Sequence, residues 1–182
     1  MTTFRLADQG RILGIPDWNA ELPVAFTSTI TGLNTAVIHL QLDSGAAICV
    51  APSNLATELG LNLRAGSPLQ LDGVGGGIRA YVHSLRLHIG GEYYDNVPVA
   101  ITTSSDTPFL LGRLGFWQQT SVSIDNIGRT VALVRTGNPP PPPLDIGTQP
   151  PSGFAPPPNA NFAMGLLAVF AIGVGAYVIL GR

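Results

Sequence analysis

Charge is the scarcest commodity in this sequence. Only 11 % of its 182 residues are Asp, Glu, Lys or Arg, against about 25 % in ordinary soluble domains. All nine basic residues are Arg and the net charge is −2, so there is no basic patch for the phosphates of a nucleic acid and no acidic tail. The lone Cys49 excludes a disulfide within the chain; between Ile48 and Val50 it reads as a small buried hydrophobe. His39, His83 and His88 have neither an H-x-x-x-H spacing nor a carboxylate cluster beside them, so no metal site and no cofactor is assigned. Gly73, Gly75 and Gly77 run G-x-G-x-G, not G-x-G-x-x-G, and no Gly-Lys-Ser/Thr follows, which argues against a phosphate loop.

Apolar residues fill much of that space, 45 % of the chain, in short runs between turn signals. Residues 24–30 and 36–42 read as a hairpin around Thr31-Gly32-Leu33-Asn34. A short helix is expected over 52–60, with Ser53 capping it and Gly60 ending it. Further strands are expected at 69–71, 78–82, 81–89, 97–101 and 109–112, then a short helix over 114–118. A closing hairpin joins 121–125 to 130–134. This succession of short strands predicts an all-β fold: a small closed barrel with one or two short helices.

The chemistry concentrates in Leu40-Gln41-Leu42-Asp43-Ser44-Gly45-Ala46. An apolar strand delivers a carboxylate into a tight turn, where burial demands hydrogen bonds to it and Gly45 lets the backbone turn sharply. Asp, Ser and Gly are also ordinary turn residues. A second signal lies about seventy residues on, in Pro108-Phe109-Leu110-Leu111-Gly112-Arg113-Leu114-Gly115-Phe116. Between them sits the glycine cluster Gly73-Val74-Gly75-Gly76-Gly77, a hairpin tip in which positive φ costs little.

In their order and spacing these three elements resemble the retropepsin-like (retroviral-type) aspartic proteases over roughly residues 20–136. The resemblance implies a catalytic Asp43, an active-site loop of Ser44, Gly45 and Ala46, and a flap of Gly73, Val74, Gly75, Gly76 and Gly77. It also implies a supporting hydrophobic-Gly strand of Leu110, Leu111, Gly112 and Arg113. Peptide hydrolysis by this route needs two carboxylates sharing one proton, since like charges ~3 Å apart cannot both ionise. The sequence has one Asp-Ser-Gly; Asp72-Gly73 and Asp125-Asn126-Ile127-Gly128 lack the pattern. The implied protease is therefore a homodimer with one Asp43 from each protomer, acting on peptide or protein substrates. Ala46 offers no hydroxyl to the carboxylate, so activity is expected at mildly acidic pH. Retroviral enzymes carry an Asp where this chain has Ala47, and it pairs with the Arg of the later motif; Asp72 or Asp106 is the available substitute here. The alternative is a catalytically inactive retropepsin-like dimerisation or binding module in a membrane complex or lipid-containing particle.

Outside the domain (21–136), residues 1–20 form an N-terminal arm expected to join a dimer-interface sheet. Residues 137–161 are a proline-rich linker, suited to extended polyproline II at about 3.1 Å per residue. Residues 162–180 carry no charge over a length near the ~20 residues that cross a bilayer, so 162–182 is expected to be a single-pass transmembrane anchor. Ala171 and Gly175 give it a small-xxx-small face for helix pairing. No apolar run of signal-peptide length lies in residues 1–20, so the domain is expected on the cytoplasmic side.

Overall fold

Alternation with period two decides which side chains of the barrel point inward. In β4 (Glu21–Thr27) Leu22, Val24 and Phe26 are buried while their neighbours are half-exposed. The computed structural model describes residues 1–13, 15–73 and 76–144. The other strands are β1 (Thr2–Arg5), β2 (Ala7–Ile12), β3 (Ile15–Asn19), β5 (Ile38–Leu42), β6 (Cys49–Ala51), β7 (Ser67–Gly73), β8 (Gly76–Ile89), β9 (Glu92–Thr102), β10 (Leu110–Leu111), β11 (Thr120–Asp125) and β12 (Thr130–Arg135). One short helix, α1 (Asn54–Glu58), follows β6, and a 3-10 turn spans Leu63–Ala65.

Hydrogen bonding runs in the order β4-β5-β10-β6-β9-β8, and β8 pairs back onto β4 with Val24 opposite Ile89. The ring therefore closes, which leaves these strands without free edges. This is the small closed all-β barrel that the sequence predicts. β7 extends it as the outer arm of a hairpin with β8, in which Gly73 faces Gly76. A second sheet, β1-β12-β11, and the β2–β3 hairpin lie outside the ring. Arg129 from the β11–β12 turn stacks on Trp18 of β3 at 4.2 Å, joining the two.

Two apolar layers result. The interior holds Phe26, Leu40, Leu42, Cys49, Val99, Ile101 and Leu111 among others. Their neighbours in sequence face the opposite side: Leu110, Val50, Ala100 and Val82 stand opposite one another across β10, β6, β9 and β8. These four belong to a separate cluster with Ile48, Leu71 and Ala80 on the outer face.

Several boundaries differ from expectation for local reasons. The first strand ends at Thr27, because the chain turns at Ser28, whose carbonyl accepts the Gly32 N–H at 2.9 Å. Its partner begins at Ile38. Ser53 adopts helical backbone angles and makes no side-chain cap, so α1 starts without one. Residues 114–118 form successive turns, not a helix. Gly115 has φ +80 there, and a Cβ at that position would lie 2.4 Å from Pro98 Cδ; positive φ interrupts a right-handed helix. Gln119 closes these turns by donating to the carbonyls of Gly115 (2.8 Å) and Asp95 (2.9 Å). The N-terminal arm holds three strands, and β1 pairs with β12 of its own chain, Phe4 opposite Val131.

Among the described residues no helix is long and apolar enough to cross a membrane. The anchor expected at 162–180, and the linker beyond Leu144, lie outside the described residues.

Candidate active site

Asp43 sits where β5 ends. Its main-chain N–H donates to the Leu111 carbonyl at 3.1 Å, which ties the loop to β10. Its Oδ1 accepts from the N–H groups of Gly45 (2.8 Å) and Ala46 (3.2 Å), the side-chain-to-backbone turn that a short carboxylate favours. Oδ2 has no partner among the described residues, and Asp43 is half-buried. One carboxylate oxygen is thus fixed while the other stays available to a water or a second carboxylate.

Support for the loop comes from β10, which lies between the strand entering it and the strand leaving it. β10 runs parallel to β5, with Leu111 opposite Leu42, and antiparallel to β6, with Leu110 opposite Val50. Past the crossing, Arg113 and Leu114 donate main-chain N–H groups to the carbonyls of Ala46 (3.0 Å) and Ala47 (2.7 Å). Only glycine fits at 112, since a Cβ there would lie 2.3 Å from the Ile48 oxygen and 2.9 Å from the Cys49 nitrogen. The approach to β10 is held by a buried hydroxyl pair, Thr102 Oγ1 and Thr107 Oγ1, 2.7 Å apart.

The structure brings Asp43, Gly45, Ala46, Leu110, Leu111 and Gly112 together in this way. Ser44 is exposed and its hydroxyl makes no hydrogen bond among the described residues. Gly73, Gly76 and Gly77 lie at the β7–β8 turn, while Val74 and Gly75 fall outside the described residues. Arg113 is exposed, and no carboxylate among the described residues pairs with it. Asp106 instead accepts from Ser105 Oγ at 3.0 Å, and Asp72 stands opposite Gly77 in the hairpin. Neither substitutes for the acidic partner missing at Ala47.

Cys49 is fully buried beneath the loop, 3.8 Å from the Gly112 carbonyl, and burial pushes its thiol up to about 12. It stays protonated and unreactive at ordinary pH. Among the described residues no group of His, Cys, Asp or Glu has metal-binding geometry.

The outer apolar layer was not singled out from the sequence. Its signal is present in the alternation Ile48, Val50 against Cys49, Ala51 just after the Asp-Ser-Gly turn. Apolar residues on both faces of a strand show that each face is covered, though not by what.

Residues 27–114 match a family described as Aspartyl protease, a stretch that runs from the end of β4 through the Gly112 crossing. The crystal structure of a retropepsin-like aspartic protease from Rickettsia conorii is similar at 14 % identity, covering 74 % of this chain and 99 % of that one, with a TM-score of 0.48. No curated protein matches the chain. From the end of β4 through the Gly112 crossing, with Asp43 inside the matched stretch, this chain is similar in sequence to the aspartyl proteases.

Proposed function

We propose that the chain is an aspartic endopeptidase that works as a homodimer, hydrolysing peptide bonds with one Asp43 from each protomer. The observation that carries this reading is the Asp43 carboxylate itself, half-buried, clamped through Oδ1 and without a partner at Oδ2 among the described residues, on a loop whose outgoing Ile48 and Val50 share an apolar cluster with Leu71 and Ala80 of the β7–β8 hairpin. Across a two-fold axis the two carboxylates would share a proton. The ionised one takes a proton from the attacking water, the protonated one donates to the carbonyl oxygen, and the tetrahedral intermediate then expels the amine, which leaves carrying a proton.

The sheet β1-β12-β11 supports the dimer. β1 and β11 are edge strands with unpaired main-chain groups, and Ile124 and Val134 are 48 % and 44 % exposed on it. Segment 162–180, read as a single-pass membrane anchor, would confine protomers to two dimensions and raise their effective concentration. It would leave the domain on the cytoplasmic side.

The test is cleavage of denatured casein by the full chain in detergent micelles at mildly acidic pH, beside Asp43→Asn, with sedimentation of both. Asp43→Asn is expected to dimerise like the wild type and to lose at least a hundredfold in rate. Equal cleavage by both, or a monomeric active species, refutes the dyad. The second reading, an inactive dimerisation module, draws on Ala47 and on Arg113, which has no carboxylate partner among the described residues; it predicts dimers of both chains and cleavage by neither.

A further inference from the structure

The proline-rich segment does not run straight off the barrel. Thr136 N–H donates to the Gln119 carbonyl at 3.1 Å and Asn138 Nδ2 to the Gln118 carbonyl at 2.9 Å. Three residues on, Asn96 Nδ2 donates to the Pro141 carbonyl at 3.0 Å. Asn96 has φ +55, a left-handed conformation that asparagine tolerates better than most residues. At the end of the segment Leu144 is half-buried against the outer apolar layer, while Pro142 and Pro143 remain exposed.

That layer abuts the candidate site on two sides. Ile48 and Val50 belong to the stretch leaving the Asp43 loop, and Leu110 directly precedes the residue whose carbonyl holds Asp43. Leu71, Ala80 and Val82 come from the two strands of the flap hairpin. An extended peptide passing between the hairpin and Asp43 would set its apolar side chains on this same ground. Leu144 already touches it.

We infer that residues 137–144 form an intramolecular strap, docked through Asn96 and Leu144, which competes with peptide for the apolar ground beside Asp43; this rests on the protease reading. The prolines make the strap a weak rival. Lacking N–H groups, Pro139 to Pro143 cannot donate to a sheet edge, so the strap is held by one hydrogen bond accepted from Asn96, one donated by Asn138 and one apolar side chain. A peptide with its N–H groups intact can add main-chain bonds to the hairpin and displace it.

Two measurements on the full chain in detergent micelles test this. The first is maleimide labelling of Leu144→Cys and Pro142→Cys in the Asp43→Asn background, where the buried Cys49 stays silent. Leu144→Cys should react about fivefold more slowly than the exposed Pro142→Cys, and excess denatured casein should abolish the difference. The second is casein cleavage by Leu144→Asp, which should show KM lowered about fivefold at unchanged kcat, the factor that half a buried leucine is worth. Equal labelling rates overturn the docking. Unequal rates that ignore casein, or an unchanged KM, overturn the competition. Absence of Asp43-dependent cleavage sinks the protease reading instead, and the labelling rates with their response to casein still decide the strap.

Discussion

Two glycines meet the same nominal overlap and should respond oppositely to a methyl group. A Cβ at Gly112 would lie 2.3 Å from the Ile48 carbonyl oxygen, 2.4 Å from its carbon and 2.9 Å from the Cys49 nitrogen. All three are main-chain atoms, and Cys49 is fixed in register opposite Val99. Relief requires β6 to move away from β10 and so to give up the Leu110–Val50 pairing that seats the strand to which the Asp43 loop is tied. Overpacking of a close-packed interior costs about 1–3 kcal/mol, and an overlap that no rotamer can relieve belongs at the top of that range. A Cβ at Gly77 would lie 2.3 Å from Gln70 Nε2 and 3.0 Å from Asp72 Oδ1. Those are the ends of exposed side chains that rotate away, and the alanine also reduces unfolded-state entropy by about 0.4–1 kcal/mol. Gly112→Ala should therefore lose about 3 kcal/mol and Gly77→Ala should stay within about 0.5 kcal/mol of the parent. In urea, with a slope of about 2 kcal/mol/M, the first shift is about 1.5 M at the midpoint and the second is negligible. Equal shifts, or a loss under about 1 kcal/mol for Gly112→Ala, would refute the claim that β10 is wedged rigidly against β6.

Burial holds the imidazole of His83 neutral, with its pKa lowered from 6.5 against the opposing pull of the Leu63 carbonyl, which lies 3.0 Å from Nε2. The unfolded chain takes up a proton that the folded chain refuses, so this stability is complete above about pH 6.5 and is lost as pH falls toward the folded pKa, by at most about 1.4 kcal/mol per pH unit. His83→Gln should flatten the dependence of the urea midpoint between pH 7.5 and 5.5; parallel curves for parent and variant would show that His83 protonates without unfolding pressure. Arg86 pairs with Asp95 and lies over Tyr93 at 5.6 Å, with both charged side chains about 40 % exposed. Arg86→Met, which keeps an aliphatic stem, should lose no more than about 1 kcal/mol, a loss that shrinks in 1 M salt; a larger, salt-independent loss would refute the reading of Arg86–Asp95 as a solvent-screened surface pair.

The Asp43 loop was the most legible part of the sequence. The apolar run into Asp43, the turn residues after it and the Leu-Leu-Gly run all report local constraints: a strand, a turn, and a position where only hydrogen fits. The β7–β8 hairpin was legible for the same reason, since Gly73, Gly76 and Gly77 punctuate two apolar runs. The N-terminal arm was not. Thr2 pairs with Leu133 and Arg5 with Thr130, and no local pattern in a mixed polar segment announces a partner so far along the chain. The helix expected at 114–118 failed because its apolar residues, Leu114, Phe116 and Trp117, satisfy a helical pattern while Gly115 at φ +80 breaks it. Phe116 is buried edge-on against Tyr94 at 4.9 Å, and that long-range contact fixes the turn. That Arg113 has no carboxylate partner among the described residues was foreshadowed by Ala47, although sequence could not show that Asp106 bonds Ser105 and that Asp72 forms no ion pair with Arg113.

The two-residue strand β10 also sets an order of events. Two residues make too few hydrogen bonds to offset closure of the loop of about seventy residues that separates them from Asp43. They gain their place only once the strands on either side stand ready, so the Asp43 loop is completed late in folding, after the hairpins that surround it. The reverse step is equally local. Opening of β10 alone releases the Asp43 N–H and the Ala46 and Ala47 carbonyls while the β8–β9 ladder stays intact. Hydrogen exchange at Asp43, Arg113 and Leu114 should then outpace exchange in β8 and β9, and a chain halted before residue 110 would hold every strand leading to the carboxylate without the strand that holds it in position.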